Sequence, residues 1–428
     1  MTENGSVHYR LKVVWLCALM NKEIREKIGF KVPLWKRVLN SRKKYAVFDE
    51  IALWNTNGIK AFESFNDIEL HVVLFATNML HSKEEFVIND IQFHVLRDIA
   101  DNLFPRIIHR IKSRLVNFGL LKRESIGKFN RRRIASVVNK IHPDVVHVIG
   151  AENIDYSLSV LDLSKTYPVI VQLQTLLSAP NVVNNYPNIT ESISYEKLVL
   201  EKVRFIGTTI PYYKETIQKS INPRAEFLEL KLAVQEKVSE VVDSTKQFDF
   251  VYFSSNINKA GYDAIEAFSL AHYKHPEITL DIIGGYDEEF KAGLDRRITD
   301  LGLSSYITFE GRLPSHEDVI NQVRKSKFAL LPVRIDFIPS VIREAIANKL
   351  PVVTCITTGT PTLNIKRESV LLSEIADYQA MADNMIALIE NDSLSQGLIE
   401  NATITIEEMY NNLAEMEKWR KAYYEITT

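Results

Sequence analysis

Short runs of consecutive apolar residues recur along the chain, separated by stretches in which apolar positions return every three to four residues. In the first half the runs are Lys12–Met20, Glu69–Ala76, Val145–Ile149, Val169–Leu173 and Arg204–Gly207. In the second half they are Asp249–Ser254, Thr279–Gly284, Tyr306–Glu310, Phe328–Pro332, Pro351–Cys355 and Val370–Leu372. Most are continuous rather than alternating. A strand wet on one face alternates apolar with polar, whereas a strand covered on both faces does not, so these runs read as buried strands of parallel sheets. The stretches between them supply helices. Gly261–His272 places Ile265, Phe268 and Ala271 on one side, and a short helix from Ser340 to Asn348 must stop before Pro351.

Strand and helix alternate through both halves, which predicts an α/β protein of two doubly wound domains. The 428 residues suit two domains of roughly 200 each. Between 223 and 247 the sequence turns polar (NPRAEF, then QEKVSEVVDSTKQ), and the boundary is placed there. The expected organisation is a domain over 1–225, a second over 226–405, and a C-terminal helix over 406–428 packing back on the first. No repeat with a period of 20–50 residues and no low-complexity tract is visible. Open parallel sheets bind ligands at the C-terminal ends of their strands, so two such domains facing across a cleft suit one substrate on each side. Fold alone does not establish that function.

Composition changes this picture little. Hydrophobic residues make up 46% and charged residues 25%, which places the chain among globular proteins rather than disordered ones. Its two cysteines, Cys17 and Cys355, each lie in an apolar strand-like run, so buried free thiols in a reducing cytoplasm are expected, with no disulfide or zinc framework. The polar N-terminus carries no signal-peptide pattern, and no uninterrupted run of 18 apolar residues suggests a membrane span.

Charge adds an asymmetry. Residues 1–200 hold 27 Lys+Arg against 20 Asp+Glu, and the remainder holds 25 against 34. The excess of positive charge concentrates in 104–140, with eleven Lys/Arg and one acid, Glu124. There Phe104, Ile107, Ile108, Ile111, Leu115 and Phe118 recur at helical spacing, with Arg106, Arg110 and Arg114 opposite. A basic amphipathic helix can lie on an anionic membrane surface, or pack on its own domain with a solvated basic face. Lys31–Lys44 with Trp35 would extend such a patch. No nucleic-acid motif accompanies the charge, so nucleic acid is not an expected partner.

The candidate chemistry centres on DFIPSVIREAIANKLPVV, residues 336–353, between the strands FALLPVR and PVVTCI. Asp336 falls in the loop and Glu344 in the helix. A carboxylate accepts two hydroxyl hydrogen bonds at once, as sugar recognition requires. On spacing alone, Glu344 serves equally as an acid favoured by the helix dipole, an effect of about 0.3–1 kcal/mol.

This stretch resembles the signature of the retaining GT4-family glycosyltransferases of the GT-B fold, in which an acidic residue precedes a glutamate by eight positions; Asp336, Pro339, Glu344 and Ala345 fall on that pattern. The resemblance implies that Glu344 holds the donor ribose and that Asp336 stands near the donor sugar, with Ile338, Pro339 and Ser340 completing that wall. Asp336 is one methylene shorter than the family's glutamate. In CITTGTPT, residues 355–362, Thr358, Gly359 and Thr360 take the place of a glycine pair that offers backbone N–H groups to phosphate. FSSNINKAGYDAIEAF, 253–268, matches the family's diphosphate-gripping segment through Lys259, but Ser254 stands where its arginine would be. TLDIIGGY (279–286) and ITFEGRLP (307–314) fit as well, making Arg312 and Leu313 candidates for base contact.

The first half is similar to a bacterial polysaccharide-assembly subgroup through PDVVHVIGAENIDYS (143–157), IGTTIPYYKETIQKSINP (206–223, without the subgroup's arginine) and VIVQLQTLLSAP (169–180). Gln174 replaces a common histidine and Glu152 lies in a strand-end loop, which makes both acceptor-side candidates; Glu152 serves equally as a turn or capping acid. His147, mid-strand, reads as a core residue. Glutamine is no general base at neutral pH. Front-face attack, in which the leaving diphosphate takes the acceptor proton, needs positioning and charge stabilisation instead. No Asp-x-Asp metal pair is present.

The catalytic candidates are thus Asp336, Glu344, Lys259 and Glu152. The expectation is a retaining, metal-independent enzyme without a cofactor, moving a sugar from a nucleotide-diphosphate sugar to a glycan or polyprenyl-linked acceptor in bacterial surface polysaccharide (capsule) synthesis. It would be cytoplasmic, peripheral on the inner membrane face through 104–140. A nucleotide-sugar epimerase and a non-catalytic GT-B relative binding carbohydrate or a partner are the alternatives.

Overall fold

The computed structural model describes residues 10–30, 51–98, 111, 115, 120–122, 125–180, 190–234, 245–256, 259–286, 288–334, 339–357 and 359–427. These fall into two compact units. One contains the described residues up to Ala233 and those from Asn412 onward; the other contains Val234–Asn411.

The first unit is built on an eight-stranded sheet. Its strands are β1 (Leu11–Leu16), β2 (Ile68–Ala76), β3 (Lys83–Ile88), β4 (Ile91–Arg97), β5 (Val145–Ile149), β6 (Val169–Gln172), β7 (Phe205–Gly207) and β8 (Glu226–Leu228). They lie in the order β3-β4-β2-β1-β5-β6-β7-β8. All neighbours are parallel except β3 and β4, an antiparallel hairpin on one edge. Both sheet faces carry a core: Val14, Leu16, Val146, Val148 and Val171 on one, and Val13, Trp15, Val72, Val145 and Ile170 on the other. This double burial explains the unalternating strand sequences. The helices are α1 (Lys22–Lys27), α2 (Leu53–Phe62), α3 (Lys128–Ile141), α4 (Val160–Leu163), α5 (Thr190–Leu200), α6 (Pro211–Ser220) and, from the far end of the chain, the helix Asn412–Thr427.

That last helix is tied to the first sheet through polar contacts inside an aromatic cluster. Trp15 Nε1 donates to the Tyr423 hydroxyl at 2.8 Å, which lies 2.7 Å from His147 Nδ1. Trp419 Nε1 donates to the Lys231 carbonyl at 2.8 Å, and Arg420 pairs with Asp67. His147 is a core residue; burial pushes its imidazole down to about 3, so it is neutral at physiological pH.

The second unit is a six-stranded parallel sheet of β9 (Phe248–Asn256), β10 (Leu280–Gly285), β11 (Ile307–Gly311), β12 (Ser326–Leu331), β13 (Val352–Cys355) and β14 (Leu371–Ser373), in the order β11-β10-β9-β12-β13-β14. Helices α7 (Lys259–Lys274), α8 (Glu288–Asp300), α9 (His316–Val323), α10 (Ser340–Ala347), α11 (Tyr378–Glu390) and α12 (Asp392–Met409) connect and cover it. The strand order reverses between β9 and β12. Such a reversal leaves an open crevice at the carboxyl ends of the two strands, where open α/β sheets take their ligands.

Several elements differ from the sequence reading. The run Lys12–Met20 stops pairing as a strand at Leu16, and Met20 makes only an isolated bridge to Ile51. The β3–β4 hairpin was not anticipated from apolar runs, because β3 is a half-exposed edge strand. Its signal lies in Asn89 and Asp90, both at positive φ (47° and 65°), as a two-residue hairpin turn requires. The first unit extends past 225 to Ala233, because β8 pairs with β7 and Leu230 and Ala233 are buried in its core. Cys17 and Cys355 are buried free thiols, pushed up to about 12 and about 11 by burial.

Candidate functional site

In the second unit the described donor candidates follow the carboxyl ends of β11, β9, β12 and β13, strands of one sheet. The loop after β9 leads to Lys259 at the start of α7, that after β11 carries Arg312 and Leu313, that after β12 leads to α10, and that after β13 carries Gly359 and Thr360. Glu344 lies in α10, whose residues from Ile342 to Ala347 are all buried. The residue is 9% exposed, and none of the described residues hydrogen-bonds or pairs with its carboxylate. Its oxygens are not among the buried polar atoms left without a partner, so they are open to accept hydroxyl hydrogen bonds from a ligand. Pro339 caps α10 in an extended conformation (φ −57°, ψ 149°), and Ser340 is exposed at its first turn. The helix N-terminus therefore faces the crevice side of the sheet, with the positive end of its dipole outward. Asp336, Ile338 and Thr358 lie outside the described residues, as does the side chain of Lys259.

The loop after β13 departs from expectation. Its backbone N–H groups do not stand free: those of Gly359 and Thr360 donate to Thr357 Oγ1 at 3.4 and 3.3 Å. Thr360 is fully buried; its hydroxyl accepts from the Thr357 N–H at 2.8 Å and donates to the Cys355 carbonyl at 2.8 Å. The Thr360 side chain therefore builds the turn rather than offering a hydroxyl to a ligand. Gly359 sits at φ −120°, so it needs no glycine-only conformation. Ser254 is half-buried within β9; Arg312 is exposed after Gly311, which turns at φ 69°, and Leu313 packs against the core.

A pair missed by motif reading braces this crevice. Arg334, just beyond β12, holds Asp263 of α7 through two bonds of 2.5 and 2.6 Å, and the Tyr378 hydroxyl donates to the same carboxylate at 3.0 Å. A bidentate guanidinium–carboxylate pair fixes direction as well as distance, so it ties the chain just beyond β12 to α7. No motif advertises it, since the partners are far apart in sequence.

The acceptor candidates lie at the carboxyl ends of β5 and β6 in the first unit. Gly150 turns at φ 101°, and a side chain there would meet Glu152 Oε1, the Tyr156 hydroxyl and Gln174 Nε2 at 3.0, 3.2 and 3.3 Å. These three groups therefore surround one glycine, which brings Glu152 and Gln174 together. Gln174 Nε2 donates to the Ile149 carbonyl at 3.3 Å and the Tyr156 hydroxyl to the same carbonyl at 2.7 Å. Glu152 Oε2 is buried without a partner. Burial raises the Glu152 carboxyl above its ordinary range, while backbone N–H groups of Glu152 and Ala151 hold it down. Among the described residues, no group of three or more His, Cys, Asp or Glu side chains is arranged to hold a metal ion.

Comparison with known proteins is consistent with this geometry. Residues 234–405 match the family model described as Glycosyl transferases group 1. No curated protein matches the sequence. Among solved structures, sucrose-phosphate synthase from Thermosynechococcus elongatus aligns with a TM-score of 0.66 at 14% identity, over 97% of this chain and 99% of that one. A trehalose-6-phosphate structure from E. coli, bound with UDP-2-fluoro glucose, gives 0.61 at 9% identity, over 96% and 98%. S. aureus TarM, in complex with fondaparinux, alpha-GlcNAc-glycerol and UDP, gives 0.54 at 16%, over 68% and 58%. Both sheets, the structural neighbours and the family match lead to one conclusion: the chain has the GT-B fold, and its residues 234–405 match the group 1 glycosyltransferase family.

Proposed function

We propose that the protein is a retaining, metal-independent transferase that takes a sugar from a nucleotide-diphosphate sugar and passes it to a glycan or lipid-linked hydroxyl in the assembly of a bacterial surface polysaccharide. The observation that carries this reading is Glu344, an acid on α10 that is 9% exposed and whose carboxylate has no hydrogen-bond or ion-pair partner among the described residues, in the helix that follows β12 at the β9–β12 reversal. In this reading Glu344 accepts the ribose hydroxyls, and Asp336, Ile338, Pro339 and Ser340 line the sugar end. The diphosphate lies near the start of α7, with Lys259 as its cation. Ser254, Thr358 and Gly359 are neighbours of the phosphates, and Arg312 and Leu313 lie near the base. Ligands in two neighbours, UDP-2-fluoro glucose in one and UDP in the other, support a nucleotide-sugar donor.

Transfer by front-face attack needs no protein base. The leaving diphosphate oxygen takes the acceptor proton as the glycosidic bond to it breaks and the new one forms on the same face. The protein's part is to hold both partners and to stabilise the leaving charge. Glu152 and Gln174 suit the acceptor side because a carboxylate oxygen without a partner accepts a hydroxyl hydrogen bond. The test is a panel of nucleotide-diphosphate sugars and methyl glycosides, followed by binding, hydrolysis and transfer. Binding of a nucleotide sugar, lost in Glu344→Ala, with the anomeric configuration kept in the product, is the expected result. Nucleotide binding that survives Glu344→Ala sinks the site assignment, and an inverted product sinks the retaining mechanism.

A further inference from the structure

Glu196 belongs to none of the motifs discussed above, yet it is fully buried on α5 and bonded to the loop that carries Gln174. Its Oε2 accepts the Leu177 N–H at 2.6 Å and its Oε1 the Ser178 N–H at 2.9 Å. Two successive backbone amides on one carboxylate define the position of a short loop closely, since both donors are immovable parts of the chain. The loop follows β6, and its upstream end holds Gln174 beside Glu152 and Gly150. Leu176 and Ala179, on either side of the clamped amides, are fully buried, so displacing the loop would also disturb the core beneath it.

We propose that Glu196 is a positioning residue of the acceptor side, its carboxylate clamping the 173–180 loop so that Gln174 stays next to Glu152. The clamp is a property of the first unit alone; its bearing on transfer rests on the proposed acceptor role of Glu152 and Gln174. The core could have been closed by an apolar side chain here, at no cost in buried charge. Instead the fold keeps a buried carboxylate whose two oxygens are both spent on loop amides.

The clamp responds to pH. Burial pushes the Glu196 carboxyl up to about 7, the Ser178 hydroxyl and then the amides of Ser178 and Leu177 pull it back, and the charge of Glu152 pushes it further up. Glu152 is the charged group that faces it from the loop after β5, and the short turn Ser157–Ser159, packed against α5, brings no titratable side chain. Below about pH 7 the carboxyl takes a proton, becomes a weaker acceptor and releases its grip on the amides.

The test uses the full chain and two readouts. Amide hydrogen exchange over 173–180 is followed from pH 5.5 to 8.5 in the wild type, in Glu196→Gln and in Glu196→Asp. After correction for intrinsic exchange, wild-type protection should rise through neutral pH, Glu196→Gln should lose it roughly tenfold at pH 8 without a pH step, and Glu196→Asp should fall between. In transfer assays with a methyl glycoside acceptor, Glu196→Gln should raise acceptor KM about tenfold, leaving kcat within about twofold and UDP affinity unchanged. Equal protection in wild type and Glu196→Gln overturns the clamp. A loosened loop with unchanged acceptor KM overturns the acceptor role of the loop and leaves the clamp a structural contact. Should Glu196→Gln fail to fold, the same two outcomes are read from Glu196→Asp.

Discussion

Glu344 shows how much one residue's setting decides. The sequence placed it on a helix between two strands, and the structure makes it buried and without a described partner. Hydrogen bonds to a charged group contribute about 1.5–3 kcal/mol each. Glu344→Gln keeps the shape and removes the charge, so its affinity for a nucleotide sugar should fall at least about tenfold. Calorimetric titration checks this, with the thermal midpoint expected to hold. Gly150 is a second single-residue test. Its φ of 101° is strained for any other residue, and a methyl group there would have to push aside the three polar groups around it. Gly150→Ala should destabilise the first unit by about 1–3 kcal/mol, read as a lower denaturant midpoint. Of these two, only Glu344 could be found by motif. The glycine, the buried Thr360 hydroxyl and the Glu196 clamp depend on neighbours distant in sequence or on the exact turn of a loop, which spacing does not encode.

Elements were legible in proportion to their burial. Continuous apolar runs marked the central strands within a few residues, because a strand covered on both faces has few other ways to be written. β3 and β8 escaped because their residues are half-buried or exposed and carry little apolar signal, while β4, largely buried, was missed because Gln92 and His94 interrupt its apolar run. Elements also hold the molecule's polar strain. Asp281, mid-sheet in β10, accepts from Gln322 Nε2 of α9 at 2.8 Å, while its other oxygen is buried without a partner. Burial pushes its carboxyl up to about 6, with the charge of Glu310 adding to it and Gln322 opposing. A raised carboxyl favours the protonated fold, so this contribution is complete below the unfolded value near 4 and is lost as pH rises through about 6. Asp281→Asn cannot ionise. Its thermal midpoint should match the wild type at pH 4 and exceed it at pH 8, by about 1–2 kcal/mol in stability. A gap that does not grow with pH rejects this account. The helix Asn412–Thr427 offers a packing test: Trp419 is 1% exposed against Trp15 and His147, so Trp419→Ala should cost about 3–5 kcal/mol. Chemical denaturation reads that loss.

For the molecule as a whole, charge and surface bear on where it works. No helix among the described residues is long and apolar enough to cross a membrane. Much of the basic segment 104–140 lies outside the described residues. Within α3 the apolar side, Ile134, Val137, Val138 and Ile141, is buried in its own unit, and Arg131 pairs with Asp162. Leu120, Leu121 and Phe129 stay exposed, with Lys122, Lys128 and Arg132 among them. We propose that this surface meets anionic lipid, each basic residue there contributing about 1 kcal/mol. Co-sedimentation should favour anionic over neutral liposomes, and Lys122→Glu with Arg132→Glu should abolish the preference; equal binding to both liposomes rejects the idea. Hydrophobic order and length by themselves determined two α/β domains and the strand ends at which open parallel sheets commonly take ligands, because burial on both faces leaves a readable trace in sequence. Which helix seals which sheet, where the first domain ends, and that Glu152 Oε2 is buried without a partner were decided only in three dimensions. Those facts depend on contacts between residues such as Trp15 and Tyr423, or Leu177 and Glu196, whose proximity no local pattern records.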